Sequence, residues 1–188
     1  MRALLSAENL TVLELDLCGT RLTLQQDHGD DDHICGNIAA LLPTLRRLSL
    51  PLRNICPDVL KCQPYAASLR LSEVLVNLSL SRESPLTTSA AHSTRCGSTG
   101  EGLLELEADI QDQAKALAAQ MTSPKIVRIL THTLPKIEMR SLDVLTGKLM
   151  DLTDEMAWDD DGKTVEEDSD PEPEIDTDDF STSSDESP

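Results

Sequence analysis

The sequence predicts an α/β fold: a short solenoid of degenerate leucine repeats, closed by a C-terminal hairpin and trailed by a disordered acidic tail. The pattern L-x-x-L-x-L occurs as Leu10, Leu13, Leu15, as Leu45, Leu48, Leu50 and as Leu75, Leu78, Leu80, and with conservative replacements as Leu134, Ile137, Met139. Its starts are 35, 30 and 59 residues apart by subtraction, the last gap being close to two repeat lengths, and solenoids show periods of this order. One repeat cannot bury its own leucines. Stacked side by side, such strands form a parallel sheet with a leucine ladder as core, each buried leucine contributing roughly 1.5–3 kcal/mol relative to exposure. Charge is segregated as well: residues 154–188 hold 16 acidic residues and one lysine, a net of −15, which leaves −3 of the formal −18 for the rest of the chain. The expected organisation is a repeat domain over 1–158, with a mobile insertion at 81–100, and an acidic tail over 159–188.

Each element has a local signature. Residues 10–17 alternate Leu13, Leu15 and Leu17 with Glu14 and Asp16, the two-residue period of a half-buried strand. An acidic loop ends at Asp32, an N-cap residue type, and Ile34, Ile38, Leu41 and Leu42 recur at helical spacing until Pro43. A second strand covers 45–52, and Cys56-Pro57-Asp58 opens a turn or short helix through Leu60. The third strand lies near 74–80, followed by a Ser/Thr/Gly-rich stretch without periodicity. Ser98 with Glu101 makes a capping-box pattern before Leu103, Leu106, Ile110, Ala114, Leu117 and Met121, one apolar stripe on a helix of about twenty residues. Ser123-Pro124 reads as a second helix start, with Ile126, Val127, Leu130 and Leu134 facing inward and leading into the fourth strand. Ser141–Leu152 reads as a hairpin turning at Thr146-Gly147. Beyond Asp159 almost nothing remains to bury, so disorder is expected.

Composition narrows the function classes. Aromatic residues make up 2% of the chain, too few for base-stacking platforms, and the acidic balance repels phosphate backbones and anionic membranes. Any electrostatic partner is therefore expected to be a basic protein, with neither nucleic acid nor membrane as ligand. No run approaches the 18 or more apolar residues of a membrane span. The five cysteines are odd in number, lack paired C-x-x-C spacing and follow no apolar signal segment, so a reduced, cytoplasmic or nuclear setting is expected.

Cys18 stands where leucine-rich repeats place Asn or Cys, while Arg53, Glu83 and Leu142 occupy the matching places of the later repeats. Several segments together resemble the repeat regions of F-box-type proteins of filamentous fungi. They are Leu13-Glu14-Leu15-Asp16-Leu17-Cys18, Leu41-Leu42-Pro43 with Leu45-Arg46-Arg47-Leu48, Ile55-Cys56-Pro57, Asp143-Val144-Leu145-Thr146-Gly147 and Met156-Ala157-Trp158-Asp159-Asp160-Asp161-Gly162. The resemblance covers about residues 8–162 and implies a leucine-rich-repeat-like fold and a target-binding role in a ubiquitin-ligase receptor. The F-box that would grip the ligase adaptor has no room before Leu10, so adaptor binding is expected only if an F-box lies upstream. Two alternatives remain open: an acidic-tailed binder or chaperone of basic proteins such as histones, similar in outline to acidic leucine-rich nuclear phosphoproteins, and a truncated product without a selected role.

With the leucines facing in, the intervening residues align on the open side in three columns: Val12, Arg47, Asn77, Lys136; Glu14, Ser49, Ser79, Glu138; and Asp16, Pro51, Ser81, Arg140. Repeat proteins recognise ligands from such columns, so Arg47, Ser49, Asn77, Ser79, Lys136, Glu138 and Arg140 form the expected partner-binding set; the alternative is ordinary solvated strand positions. His28, His33 and Cys35 stand near Asp30, but no second cluster supplies further ligands. A loop and first helical turn is the expectation there, with no metal or cofactor. No Ser-His-Asp set or G-x-S-x-G appears, and Gly97-Ser98-Thr99-Gly100-Glu101-Gly102 lacks the lysine and preceding strand of a phosphate loop, so no enzyme is expected. Trp158, the single tryptophan, is expected to cover the core, with a docking peptide as the alternative. Thr164, Ser169, Thr182 and Ser183 each have an acidic residue three positions on, the pattern an acid-directed kinase accepts.

Overall fold

Four parallel strands carry the core of the computed structural model, which describes residues 10–17, 34–62, 68–80, 92–97, 102–133, 138–153, 156, 160 and 162–165. Strands β1 (Val12–Glu14), β2 (Arg47–Pro51), β4 (Glu73–Asn77) and β6 (Ile126–Thr133) lie side by side, all parallel. From β6 the chain turns back into an antiparallel meander, β7 (Glu138–Asp143), β8 (Leu149–Leu152) and β9 (Lys163–Thr164), completing a mixed seven-stranded sheet. A separate pair, β3 (Asn54–Ile55) with β5 (Thr94–Arg95), is also parallel.

One face of the sheet is covered by helices. α1 (Ile34–Ala39) packs against a 3₁₀ turn at Pro57–Leu60, and this turn packs against α2 (Leu103–Ala118). Most of the expected inward residues are buried, Ile38 and Leu42 around α1 and Leu106, Ile110, Ala114, Leu117 and Met121 along α2, while Ile34, Leu41 and Leu103 are half-buried at the edges of their stripes. They meet Leu13, Leu48, Leu50, Val74, Val76, Val127 and Ile129 from the sheet in one apolar cluster. The first two leucine triplets lie on adjacent parallel strands in the expected register, with Leu13 beside Leu48.

The later strands depart from expectation. Leu48 lies beside Val74 and Leu50 beside Val76, so the segment in register with the second leucine triplet is Leu71-x-x-Val74-x-Val76, four residues ahead of the expected third triplet. An even slip keeps Leu78 on its face and changes only its neighbours, because side chains alternate with a period of two. Leu134 lies outside the described residues, and residues 123–133 are not the expected helix. They supply β6, the true fourth strand, with Val127 beside Val74 and Ile129 beside Val76. Glu138 and Met139, expected in that strand, belong instead to antiparallel β7. The physical reason is two-sided burial. A helical stripe of Ile126, Val127 and Leu130 would leave Ile129 outside, whereas a central strand buries Ile129 on one face and Leu130 on the other. Three of its first four residues, Ile126, Val127 and Ile129, are also β-branched.

Smaller shifts follow. α2 starts after Gly102, without a side-chain cap, rather than at Ser98, and runs 16 residues. β5 lies within the stretch expected to be a mobile insertion. β9 lies within the expected tail: Val165 donates its amide to Leu149 O, and Arg128 Nη1 donates to the carbonyl of Asp160. The folded body therefore continues past residue 158. Trp158, Cys18, Lys136, Ser81, Ser169, Thr182 and Ser183 lie outside the described residues, while Thr164 is exposed in β9.

The hairpin between β7 and β8 forms where the sequence places it. Asp143 accepts from the Leu145 amide (3.0 Å) and the Thr146 hydroxyl (2.8 Å), and Gly147 takes φ +74°, a region costly for residues with a Cβ. No atom outside the turn would meet an added Cβ, so Gly147→Ala isolates backbone strain. It is expected to cost about 1–2 kcal/mol in urea unfolding, with an unchanged denaturant slope.

Candidate functional site

Three groupings of chemistry-bearing side chains arise from this register. The first lies on the sheet face away from the helices, at the start of the parallel strands. Arg47 on β2 reaches Glu14 on β1 through Nε (3.2 Å) and Glu73 on β4 through Nη1 (3.2 Å). All three side chains are part-exposed, and Val12 beside them is 49% exposed. The middle of the same face is covered, with Ser49, Leu75, Arg128, Leu130, Ser141 and Met150 buried, while Asp16 is exposed and Pro51 and Asn77 are half-buried.

The expected partner-binding residues are therefore not one surface. Arg47 neighbours Glu73 rather than Asn77, which lies between Pro51 and Leu130. Ser49 and Ser79 are buried instead of lining an open column. Glu138 is exposed opposite Thr133, and Arg140 pairs with Asp151 at 3.2 Å on the neighbouring strand. The columns fail to line up because they carry the four-residue offset of the third triplet and the misplaced fourth, and Ser49, in its expected register beside Glu14, is buried because the middle of this face is covered.

The second grouping was not expected. Ser79, just beyond β4, lies 3.0 Å through its hydroxyl from Nδ1 of His132 on β6. His132 stacks flat on His92, ring centroids 3.8 Å apart and 6° from parallel. His132 Nε2 and His92 Nδ1 are buried atoms without a hydrogen-bond partner among the described residues. Burial, and then the neighbouring His92 ring, push the His132 pKa down to about 4; burial also lowers that of His92. Both rings are thus held neutral, and a buried imidazole of such low basicity is a weak proton acceptor for Ser79.

The third grouping is three thiols from distant parts of the chain. Cys35 lies in the first turn of α1, Cys56 is the N-cap of the 3₁₀ turn, and Cys96 follows β5. Their sulfur atoms all lie within 4.8 Å of one another, and the Cys35 and Cys96 sulfurs are 3.7 Å apart. Cys35 is fully buried, Cys56 buried and Cys96 half-buried. Hydrogen bonding to Cys56 and Cys96, with burial, pushes the Cys35 thiol far up. Cys35 holds the Cys96 thiol down in part, but Cys56 and burial carry it to about 11. Uncompensated thiolates are costly in this pocket.

Neither grouping leaves a sequence signal. The cysteines are separated by 21 and 40 residues and the histidines by 40, with no local motif. His28, His33 and Asp30, the expected neighbours of Cys35, lie outside the described residues. No protein-family model, no curated protein and no solved structure matches this chain. Among the described residues, no helix is long and apolar enough to cross a membrane.

The histidine pair makes stability pH-dependent with a definite sign. The folded chain holds His132 neutral down to about 4, whereas an unfolded histidine takes its proton near 6.5, so as pH falls the unfolded state gains protons first. This contribution is intact above about 6.5 and is lost progressively toward 4. In urea unfolding at constant salt, the parent chain is expected to lose more stability across that window than His132→Asn.

Proposed function

We propose that the chain is a non-enzymatic protein-interaction module, a short leucine-rich-repeat-like array resembling the target-binding region of an F-box receptor. The observation that carries this reading is the Glu14–Arg47–Glu73 ion network. It is a charged patch open to solvent, spread across three parallel strands beside exposed Val12, on a face whose middle is buried. Side chains presented by successive stacked strands are what repeat modules use to recognise partners. Ligase-adaptor binding would require an F-box upstream. The absence of an enzymatic role rests on the site chemistry: the Ser79–His132 pair is buried and its imidazole is a weak base.

A second reading, a binder of basic proteins, rests on the 16 acidic residues of 154–188. Salt separates the two, because attraction through an exposed tail is screened over about 10 Å at 0.1 M and about 3 Å at 1 M. The cut must keep the folded part intact. Ending the chain at Val165 keeps β9 and the Asp160 carbonyl that Arg128 holds, whereas ending it at residue 158 removes both.

Residues 1–165 are expected to retain the same proteins as the full chain at both salt concentrations in quantitative capture experiments. Arg47→Glu is expected to lower capture roughly tenfold, about 1.4 kcal/mol, while costing less than about 1 kcal/mol of stability because the pairs are part-exposed. Capture that needs residues 166–188 and disappears at high salt would establish the acidic binder instead.

A further inference from the structure

We infer that Cys35, Cys56 and Cys96 form a three-thiolate site for a thiophilic divalent cation of the zinc class. The fold converges three soft ligands on one point from three elements, Cys35 from α1, Cys56 from the 3₁₀ turn and Cys96 from the end of β5. Cys35 and Cys96 already stand at the right separation. With metal–sulfur bonds of about 2.3 Å, sulfurs on a tetrahedral ion lie about 3.8 Å apart; these two are 3.7 Å apart. The third sulfur, no more than 4.8 Å from either, has at most about an ångström to travel.

Donor chemistry selects the class of ion. Three sulfurs with no imidazole in the group favour zinc-like or cuprous ions over magnesium or calcium, which require oxygen ligands. The nearby carboxylate favours the divalent choice: Asp58 Oδ2 accepts from Cys56 Sγ at 3.9 Å, and its side chain, 57% exposed and held otherwise by an exposed ion pair with Lys61 at 3.8 Å, could exchange that pair for a fourth position that water would otherwise fill. A cation would also relieve the cost of placing thiolates in a buried pocket. The bound ion would tie α1 and the 3₁₀ turn to the small β3–β5 sheet, adding to the Arg95–Asp109 pair that links β5 to α2.

The test uses the full chain, fully reduced, with cadmium(II) as a spectroscopic probe and zinc(II) as its competitor. Replacing Cys18 and Cys62 by Ser leaves the three candidate ligands as the only thiols and alters none of them. This background is expected to bind one cadmium per chain by native mass spectrometry. Its sulfur-to-cadmium charge-transfer band should have three-thiolate intensity, and zinc should displace the ion one for one. Cys35→Ser, Cys56→Ser and Cys96→Ser should each weaken binding by at least about 100-fold, since even outer-shell changes cost roughly 10–100-fold. Asp58→Asn should retain the full thiolate band. Because the background chain reports without substitution at the site, poor folding of a serine variant leaves the test intact. The inference is overturned by absence of the band at one equivalent of cadmium, by cuprous binding with zinc and cadmium excluded, or by a Cys35–Cys96 disulfide whose reduction restores no cadmium uptake.

Discussion

Burial of β4 and β6 on both faces is the constraint on which the rest of this structure depends. Val74, Val76, Val127 and Ile129 turn toward the helices while Leu75 and Leu130 turn away, and all six are buried. Two buried faces demand continuous apolar runs rather than alternation. They also fix the register, because each strand must place Val or Ile beside Val or Ile to fill the helix side without voids. With β4 and β6 in place, Leu48 is drawn beside Val74, Arg47 comes between Glu14 and Glu73, and the hairpin continues the sheet from the far side of β6.

The same register creates the buried polar chemistry. Placing Asn77 beside Leu130 puts Ser79 within hydrogen-bonding distance of His132, and the bridge between Ser79 and His92 sets the second imidazole on the first. A stacked pair is tolerated because both rings are neutral. Two imidazolium ions at this spacing in a buried site would repel each other without water to screen them. The connection that delivers His92 continues into β5, so the strand pairing that positions the histidines also delivers Cys96 to the thiols of Cys35 and Cys56. Two chemically distinct groupings thus share one structural cause.

The accessible and buried parts of the helix-free face suit different roles. Where Arg128 holds the Asp160 carbonyl, the returning C-terminal segment approaches the sheet, and Gly162 enters β9 so close to β8 that an added Cβ would collide with the Asp151 carbonyl. The Glu14–Arg47–Glu73 network on the opposite strands stays within reach of solvent. Recognition by this face would therefore centre on the first three parallel strands, where the leucine pattern is also most regular.

By itself the sequence determined the elements whose geometry is set by neighbours in the chain. The β1 and β2 leucines, the 3₁₀ turn after Pro57, the α2 stripe from Leu106 to Leu117 and the turn from Asp143 to Gly147 all follow from local periodicity, a fixed proline φ or a glycine at positive φ. The tertiary structure alone decided that residues 126–133 are a strand, that the segment in register with Leu45–Leu50 begins at Leu71, and that the chain stays in the sheet to β9. It alone brought the three thiols and the two imidazoles together. A segment such as Ile126–Leu130 fits a helix stripe and a two-sided strand equally well, and the choice belongs to the faces that receive it. Likewise, residues 21 to 61 positions apart meet only because helix packing and strand pairing close the loops between them, which no short window of sequence can specify.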